Sequence, residues 1–347
     1  MPDSSLILLL LIITVALGFA VTNGFNDAAN AIATVIGTRV LSPRNAIILG
    51  AVFNFVGAAT GLEVAKTIGK GILDPETLTY LTVIAGLASA VIWVTLATFY
   101  GLPLSVTHSL VAGLAGAGMA VAGSDAINWN VMTWVATSVV AAPVLGFLAG
   151  LLLMVLLFWL FRRSAPARVQ GIFGKLQIFS AAFMAYSHGK NDGQMPIGVI
   201  AMALIIYYKV IGQSGQAAAV WDEIAFGNLW WVIVISSLAL SLGTAFGGWR
   251  VIKTLGLRVT TLRPVHGFAA ETAGAAIIES SSLLGIPVST THCITTAIMG
   301  VGSTKRLSAV RWGIAGNIVA AWIITFPICS GLGYLFAWLL KLIFQFT

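Results

Sequence analysis

Two aspartates lie inside long apolar stretches, each preceded by a glycine and an asparagine: Gly24-Phe25-Asn26-Asp27 and Gly189-Lys190-Asn191-Asp192. A carboxylate at membrane depth costs about 2.5–3.5 kcal/mol even on the gentler insertion scales, so its default role is to hold a cation or carry a proton. Glycine at the head of each motif permits an unwound turn, and Asn30 lies about one helical turn beyond Asn26. Asn30 and, beside the second motif, Gln194 add amide donors and acceptors. The simpler reading of Asp27, a cap on a helix over 28–37, is weakened by the recurrence of the motif.

A second motif is also duplicated, in the same order: Pro103-Leu104-Ser105-Val106-Thr107-His108 and Pro287-Val288-Ser289-Thr290-Thr291-His292. Proline followed by hydroxyls sets Ser and Thr at a helix N-terminus. Free N–H groups and the positive end of the dipole there favour an anion, and hydroxyls add neutral donors. Ser105, Thr107, Ser109, Ser289, Thr290 and Thr291 are the candidate anion ligands, with Asn26, Asn191 and Gln194 beside them. Ordinary helix capping is the alternative for the hydroxyls. His108 and His292 either join the site or tie each hairpin to its neighbour.

Few cations are at hand to hold an anion: Lys190 in the second Asn-Asp motif and Lys66 near the end of an apolar block. An anion held by dipoles and hydroxyls beside two acids needs cations to enter with it. Sodium ions or protons on Asp27 and Asp192 supply that charge, which gives ion-coupled symport a physical reason. Glu271 is a further candidate for ion coupling; Glu63 and Glu279 are weaker ones, and any of the three could instead pair with a loop Arg.

Composition sets the class. Of 347 residues, 59% are hydrophobic and 8% charged, with a mean hydropathy of +0.99, against roughly 25% charged in soluble domains. Runs such as 151–158 do not alternate, which excludes a β-barrel. The reading is an all-α polytopic membrane protein. The 37 glycines suit close helix packing in lipid, and Cys293 and Cys329 read as reduced packing residues. Residues 6–22 read as a retained first helix, since 1–5 carry no basic stretch.

About ten apolar blocks follow one another: 6–37, 46–66, 78–100, 104–122, 130–160, 176–208, 228–248, 265–285, 288–302 and 311–343, with interruptions expected at 23–27 and 187–194. The net charge of +7 falls in short loops between them, the positive-inside pattern rather than a nucleic-acid surface. Basic loops around Arg39 and Arg44, 162–175, 250–263 and 305–311 go to the cytoplasm. Loops with Lys66 and Lys70 against Asp74 and Glu76, and with Asp222 and Glu223, go outside. Each half, 1–161 and 176–347, then has an odd number of crossings, so the second is inverted relative to the first, across a basic linker at 162–175. Two hairpins, one from each side, carry the Pro-x-Ser-x-Thr-His tips; stopping midway they face each other near the membrane centre, and full crossings give the same loop parity. A duplicated polar break in such a frame marks a transporter with its site where the repeats meet. Trp129, Trp230 and Trp231 read as interfacial anchors.

Asn23-Gly-Phe-Asn-Asp-Ala-Ala-Asn-Ala31, His188-Gly-Lys-Asn-Asp-Gly-Gln194 and the paired tips resemble the inorganic phosphate transporter (PiT) family over essentially the whole chain. The resemblance implies a multi-pass protein of the cytoplasmic membrane. It implies symport of inorganic phosphate with Na+ or H+, no cofactor beyond the co-transported ion, inverted repeats with re-entrant hairpins, and a homodimer. It maps the substrate and cation sites onto Asn26, Asp27, Asn191, Asp192, Ser105, Thr107, Ser289, Thr290 and Thr291. Lys190 stands where the family has a small residue, and could replace a coupling cation or meet the anion. Some members carry sulfate; hydrogen phosphate has a proton to donate to a carboxylate and sulfate does not, which favours phosphate. The stretch 279–292 also resembles the tip of undecaprenyl-diphosphate phosphatases, but no arginine lies in 100–120 or 280–300 to hold a diphosphate. A passive anion channel leaves the paired aspartates without a role.

Overall fold

The computed structural model describes residues 4–74 and 77–344; the first three residues and Glu76, which entered the reading of the N-terminus and the loop charges, lie outside that range. Fourteen α-helices are described: α1 (Ser4–Gly37), α2 (Pro43–Ala58), α3 (Glu63–Gly71), α4 (Tyr80–Tyr100), α5 (Val106–Ala122), α6 (Trp129–Phe161), α7 (Pro166–Asp192), α8 (Gln194–Val210), α9 (Ser214–Phe226), α10 (Trp231–Phe246), α11 (Trp249–Lys253), α12 (Pro264–Leu283), α13 (Thr290–Ser303) and α14 (Trp312–Phe344). Their starts are written locally. Ser42 caps α2 ahead of Pro43, Thr79 and Thr82 form a capping box on α4, and Ser105, Asn128 and Ser289 cap α5, α6 and α13.

Six helical stretches are long and apolar enough to cross a membrane, or eight if the bent pairs α2–α3 and α9–α10 each count as one span. The ten blocks expected from hydropathy include shorter pieces. At 14 residues α13 extends only about 21 Å, short of a hydrocarbon core of about 30 Å. The expected interruption at 23–27 is absent, because α1 runs helical from Ser4 to Gly37. The second motif ends α7, and Gly193 alone separates it from α8. Only 162–165 connect α6 to α7, since 166–175 already belong to α7.

The glycines that were expected to unwind the motifs instead let helices touch. A Cβ on Gly24 would lie 2.0 Å from the Leu240 carbonyl oxygen, and one on Gly243 2.1 Å from that of Val21, so α1 and α10 cross backbone to backbone. A Cβ on Gly189 would lie 2.2 Å from the Asn54 oxygen, and one on Gly57 2.0 Å from that of Tyr186, so α7 crosses α2 in the same way. Matched packing extends outward, with α5 against α14 and α13 against α6.

Two apolar clusters flank the centre. On α1 the first takes Leu9, Ile12 and Phe19 and the second takes Ala28 to Val35, with Asn23, Asn26 and Asp27 buried between them. The tips join α4 to α5 and α12 to α13. Each turns on a glycine at positive φ two residues before the proline, Gly101 (70°) and Gly285 (68°). The tips meet: Thr107 Oγ1 donates to the Val288 carbonyl at 3.2 Å, and the His108 and His292 rings stand 5.0 Å apart.

Gly24→Ala and Gly57→Ala are expected to cost roughly 1–3 kcal/mol by forcing the crossings apart. Gly18→Ala, on the same α1 with nothing within 4 Å of its Cβ, is expected to be neutral or mildly stabilising. Thermal midpoints of the three purified variants in one detergent check this.

Candidate functional site

Asp27 on α1 and Asp192 at the end of α7 converge on His188, one turn before Asp192. His188 Nε2 stands 3.7 Å from Asp27 Oδ2 and 3.6 Å from Asp192 Oδ2. One ligand atom of each residue lies within 4.8 Å of the other two, and all three residues are buried. Two carboxylates this close in a dry interior repel each other unless a cation or proton stands between them. Asn54 Oδ1 lies 2.8 Å from His188 Nδ1 and orients the ring, while the Asn54 amide donates to Thr244 at 2.9 Å.

The second tip closes on Asp27. Thr291 Oγ1 is 3.3 Å from Asp27 Oδ1 and Thr290 Oγ1 is 3.5 Å from Oδ2, while the Asn30 amide donates to both hydroxyl oxygens at 2.9 and 3.2 Å. Asp27, Asn30, Thr290 and Thr291, all sequence candidates, therefore form one oxygen-rich group. The remaining two motif asparagines occupy matching places. Asn26 donates to Thr98 at 2.5 Å near the end of α4, and Asn191 pairs with Ser282 at 3.0 Å near the end of α12. With its amide oriented to satisfy both ends, Asn191 also donates to the Val288 carbonyl (3.0 Å) and to Asp192 Oδ1 (3.2 Å).

Ser105 and Ser289 accept the His108 and His292 amides, each at 3.1 Å, so capping uses their oxygens and leaves each hydroxyl proton to donate. Ser109 is withdrawn from the site, because its hydroxyl donates to the Ser105 carbonyl at 2.8 Å. Gln194 is likewise occupied elsewhere. Its Oε1 accepts the Val64 and Ala65 amides at 2.9 and 3.1 Å, capping α3, and its amide donates to the Thr60 carbonyl at 3.2 Å.

Glu271 forms a separate polar cluster two turns along α1 from Asp27. It is fully buried and accepts hydrogen bonds from Thr34 (2.5 Å), Gln177 (2.9 Å) and Ser180. Lys190 turns to an ion pair with Glu279, with its ammonium 5.9 Å from the Tyr186 ring, and does not face the aspartates. Lys66 and Glu63 pair with each other at the surface, 3.9 Å apart. His108 and His292 are held by aromatic rings, Phe326 at 5.1 Å and Trp322 at 3.9 Å, and neither ring makes a hydrogen bond with a described residue. A nucleophile–base pair at the tips, as a phosphatase needs, is therefore not formed by these groups. Cys293 and Cys329 are buried free thiols.

Two members of the site escaped sequence reasoning. His188 lies four residues before Asp192, on the same helix face, and Asn23 occupies the matching place before Asp27. That spacing was the signal. Asn23 is fully buried and lies beside Asp192, and among the described residues Asn26 Oδ1, Asn30 Oδ1, His188 Nε2 and Asp192 Oδ2 are buried without a close hydrogen-bond partner. Buried polar atoms rarely go without partners, and those of His188 and Asp192 belong to the group that converges with Asp27. Their chemistry suits a small hard cation and an oxyanion.

Comparison with known proteins agrees with this chemistry. The chain is 44% identical over 321 residues to a Rhizobium meliloti (strain 1021) protein named "Probable low-affinity inorganic phosphate transporter", covering 92% of each chain. A Bacillus subtilis (strain 168) protein of the same name is 40% identical over 344 residues, covering 99% of this chain and all of the relative. A solved structure described as "The sodium-dependent phosphate transporter" superposes with a TM-score of 0.86 at 26% identity, covering 97% of this chain and 99% of that one. The pattern of the Phosphate transporter family matches residues 23–333. On a match of that extent, the chain belongs to the phosphate transporter family.

Proposed function

We propose that this protein is a secondary active transporter that moves inorganic phosphate across the cytoplasmic membrane together with a cation, by alternating access. The observation that carries the proposal is the convergence of Asp27 and Asp192 on His188, within 4.8 Å and buried, beside the hydroxyls of the second tip. Asp27, Asp192, Asn30 and the Thr290 and Thr291 oxygens hold the cation. Ser105, Ser289 and the α5 and α13 N-termini hold the anion, and the Thr107 hydroxyl turns to it from the Val288 carbonyl on binding. Sodium is the favoured ion, because carboxylate, amide and hydroxyl oxygens outnumber the single His188 nitrogen in the group and the solved relative is described as sodium-dependent. Glu271, enclosed by three donors, is a second place where a cation or proton couples to transport.

Matched relations in the two halves support a pair of inverted repeats with re-entrant tips: the paired glycine crossings, Asn26–Thr98 with Asn191–Ser282, and Ser105 with Ser289 as caps. In such a frame the loaded site approaches neutrality and can change its access, whereas an anion alone beside two carboxylates cannot.

Uptake of radiolabelled phosphate into proteoliposomes tests the proposal, with an imposed sodium or proton gradient and excess unlabelled sulfate. Concentrative, sulfate-resistant uptake driven by sodium is expected, with Asp27→Asn and Asp192→Asn each lowering it at least about tenfold. Gradient-independent flux would rule out symport, and loss of uptake in sulfate would make the anion sulfate. For Glu271→Gln, which keeps the side chain's shape, uptake is expected to fall with an altered dependence on the driving ion. Unchanged ion dependence would leave Glu271 a packing residue.

A further inference from the structure

At the basic end of the molecule a cavity of about 500 Å³ opens between the end of α6, the start of α7 and the start of α12. Arg162, Arg263 and Lys305 line it together with apolar side chains such as Leu157 and Phe158. None of these three cations has a carboxylate partner among the described residues. Lys305 donates to the Thr261 carbonyl at 3.1 Å, and Arg162 lies 5.3 Å from the Trp159 ring centre. Partial burial, and then the neighbouring Arg263, push the Lys305 ammonium below the ordinary lysine value, as expected of cations gathered without a counterion.

Two longer helices also begin here, α7 at Pro166 and α12 at Pro264, and both prolines line the cavity. Their unpaired N–H groups and positive dipole ends add to the field of the side chains. His266 supplies a directed donor. It is 3% exposed and lines the cavity, and its Nδ1 accepts the Arg263 amide at 3.0 Å. The ring proton of the neutral form therefore sits on Nε2, which has no hydrogen-bond partner among the described residues.

We propose that this cavity binds a phosphate-bearing anion, held by Arg162, Arg263, Lys305 and His266, at a place separate from the aspartate site. An anionic phospholipid headgroup fits it best. Phe158 is 45% exposed and continues the apolar face of α6, and positive-inside counting puts this end at the leaflet rich in anionic lipid. Because α12 leads to the second tip and Lys305 follows α13, an occupant touches both arms of that hairpin and the start of α7.

Native mass spectrometry of the full-length protein in detergent tests this, with phosphatidylglycerol, phosphatidylethanolamine and inorganic phosphate added separately. Wild type is compared with Arg162→Gln/Arg263→Gln/Lys305→Gln and with Arg168→Gln, an exposed arginine at the same end that does not line the cavity. The expected result is a phosphatidylglycerol adduct that phosphatidylethanolamine does not form, that the triple variant binds about a hundredfold more weakly, and that Arg168→Gln keeps. A phosphate adduct lost from the triple variant, with lipid binding unchanged, would support the site with free phosphate as its occupant. Equal adducts in wild type and triple variant, or an equal loss in Arg168→Gln, would overturn the proposal. An Arg162→Lys/Arg263→Lys/Lys305→Arg variant, which keeps the charge, is expected to retain most of the binding and guards against misfolding.

Discussion

Two carboxylates in a dry interior repel each other, and much of this molecule is arranged around that repulsion. Asp27 and Asp192 come from different halves of the chain and close on one imidazole. Water cannot screen them there, so their neighbours must supply oriented dipoles. Asn30, Thr290 and Thr291 surround one carboxylate, and Asn191 reaches the other. A cation or proton between the two would relieve the cost that burial imposes on the bare pair. The tips add dipoles of the same kind: the N-termini of α5 and α13 offer partial positive charge without a lysine beside the carboxylates.

The two breaks in regular structure that matter most are therefore the tips and not the aspartate motifs. Gly101 and Gly285 allow the chain to turn, proline restarts it, and Ser105 and Ser289 cap the outgoing helices α5 and α13. The tips bring backbone polar groups into the interior where they can be used, as unwound backbone is tolerated at depth only where it is buried or lines a site.

Much of this could be read in the chain before any coordinates. Apolar blocks announced the helices, and duplication singled out Asp27, Asp192, Thr290 and Thr291, which the fold brings together. The failures share a cause. Glycine reads locally as freedom to unwind, yet Gly24 and Gly189 face other helices, and only a partner far along the chain decides which role a glycine plays. Gln194 and Ser109 were polar in the right neighbourhood but are claimed by nearby backbone. Lys190 looked like a site cation until Glu279, on another helix, took it. His188 went unassigned because a single histidine has no periodic signature, although its four-residue offset from Asp192 was visible.

The reciprocal glycine crossings also bear on how the protein is made. Helix α1 precedes its partners in the chain and carries Asn23, Asn26 and Asp27. The backbone that fits against Gly24 belongs to α10, and the hydroxyls that meet Asp27 belong to α13. Asn26 meets Thr98 once α4 follows and Asp27 meets His188 once α7 follows, whereas the close fit at Gly24 and the hydroxyls at Asp27 wait for α10 and α13. The long apolar run of 6–22 gives α1 the means to stay inserted through that interval. The group around Asp27 is thus completed only when α13 joins α1, and a chain truncated before α13 would insert most of its helices yet never bring Thr290 and Thr291 to Asp27.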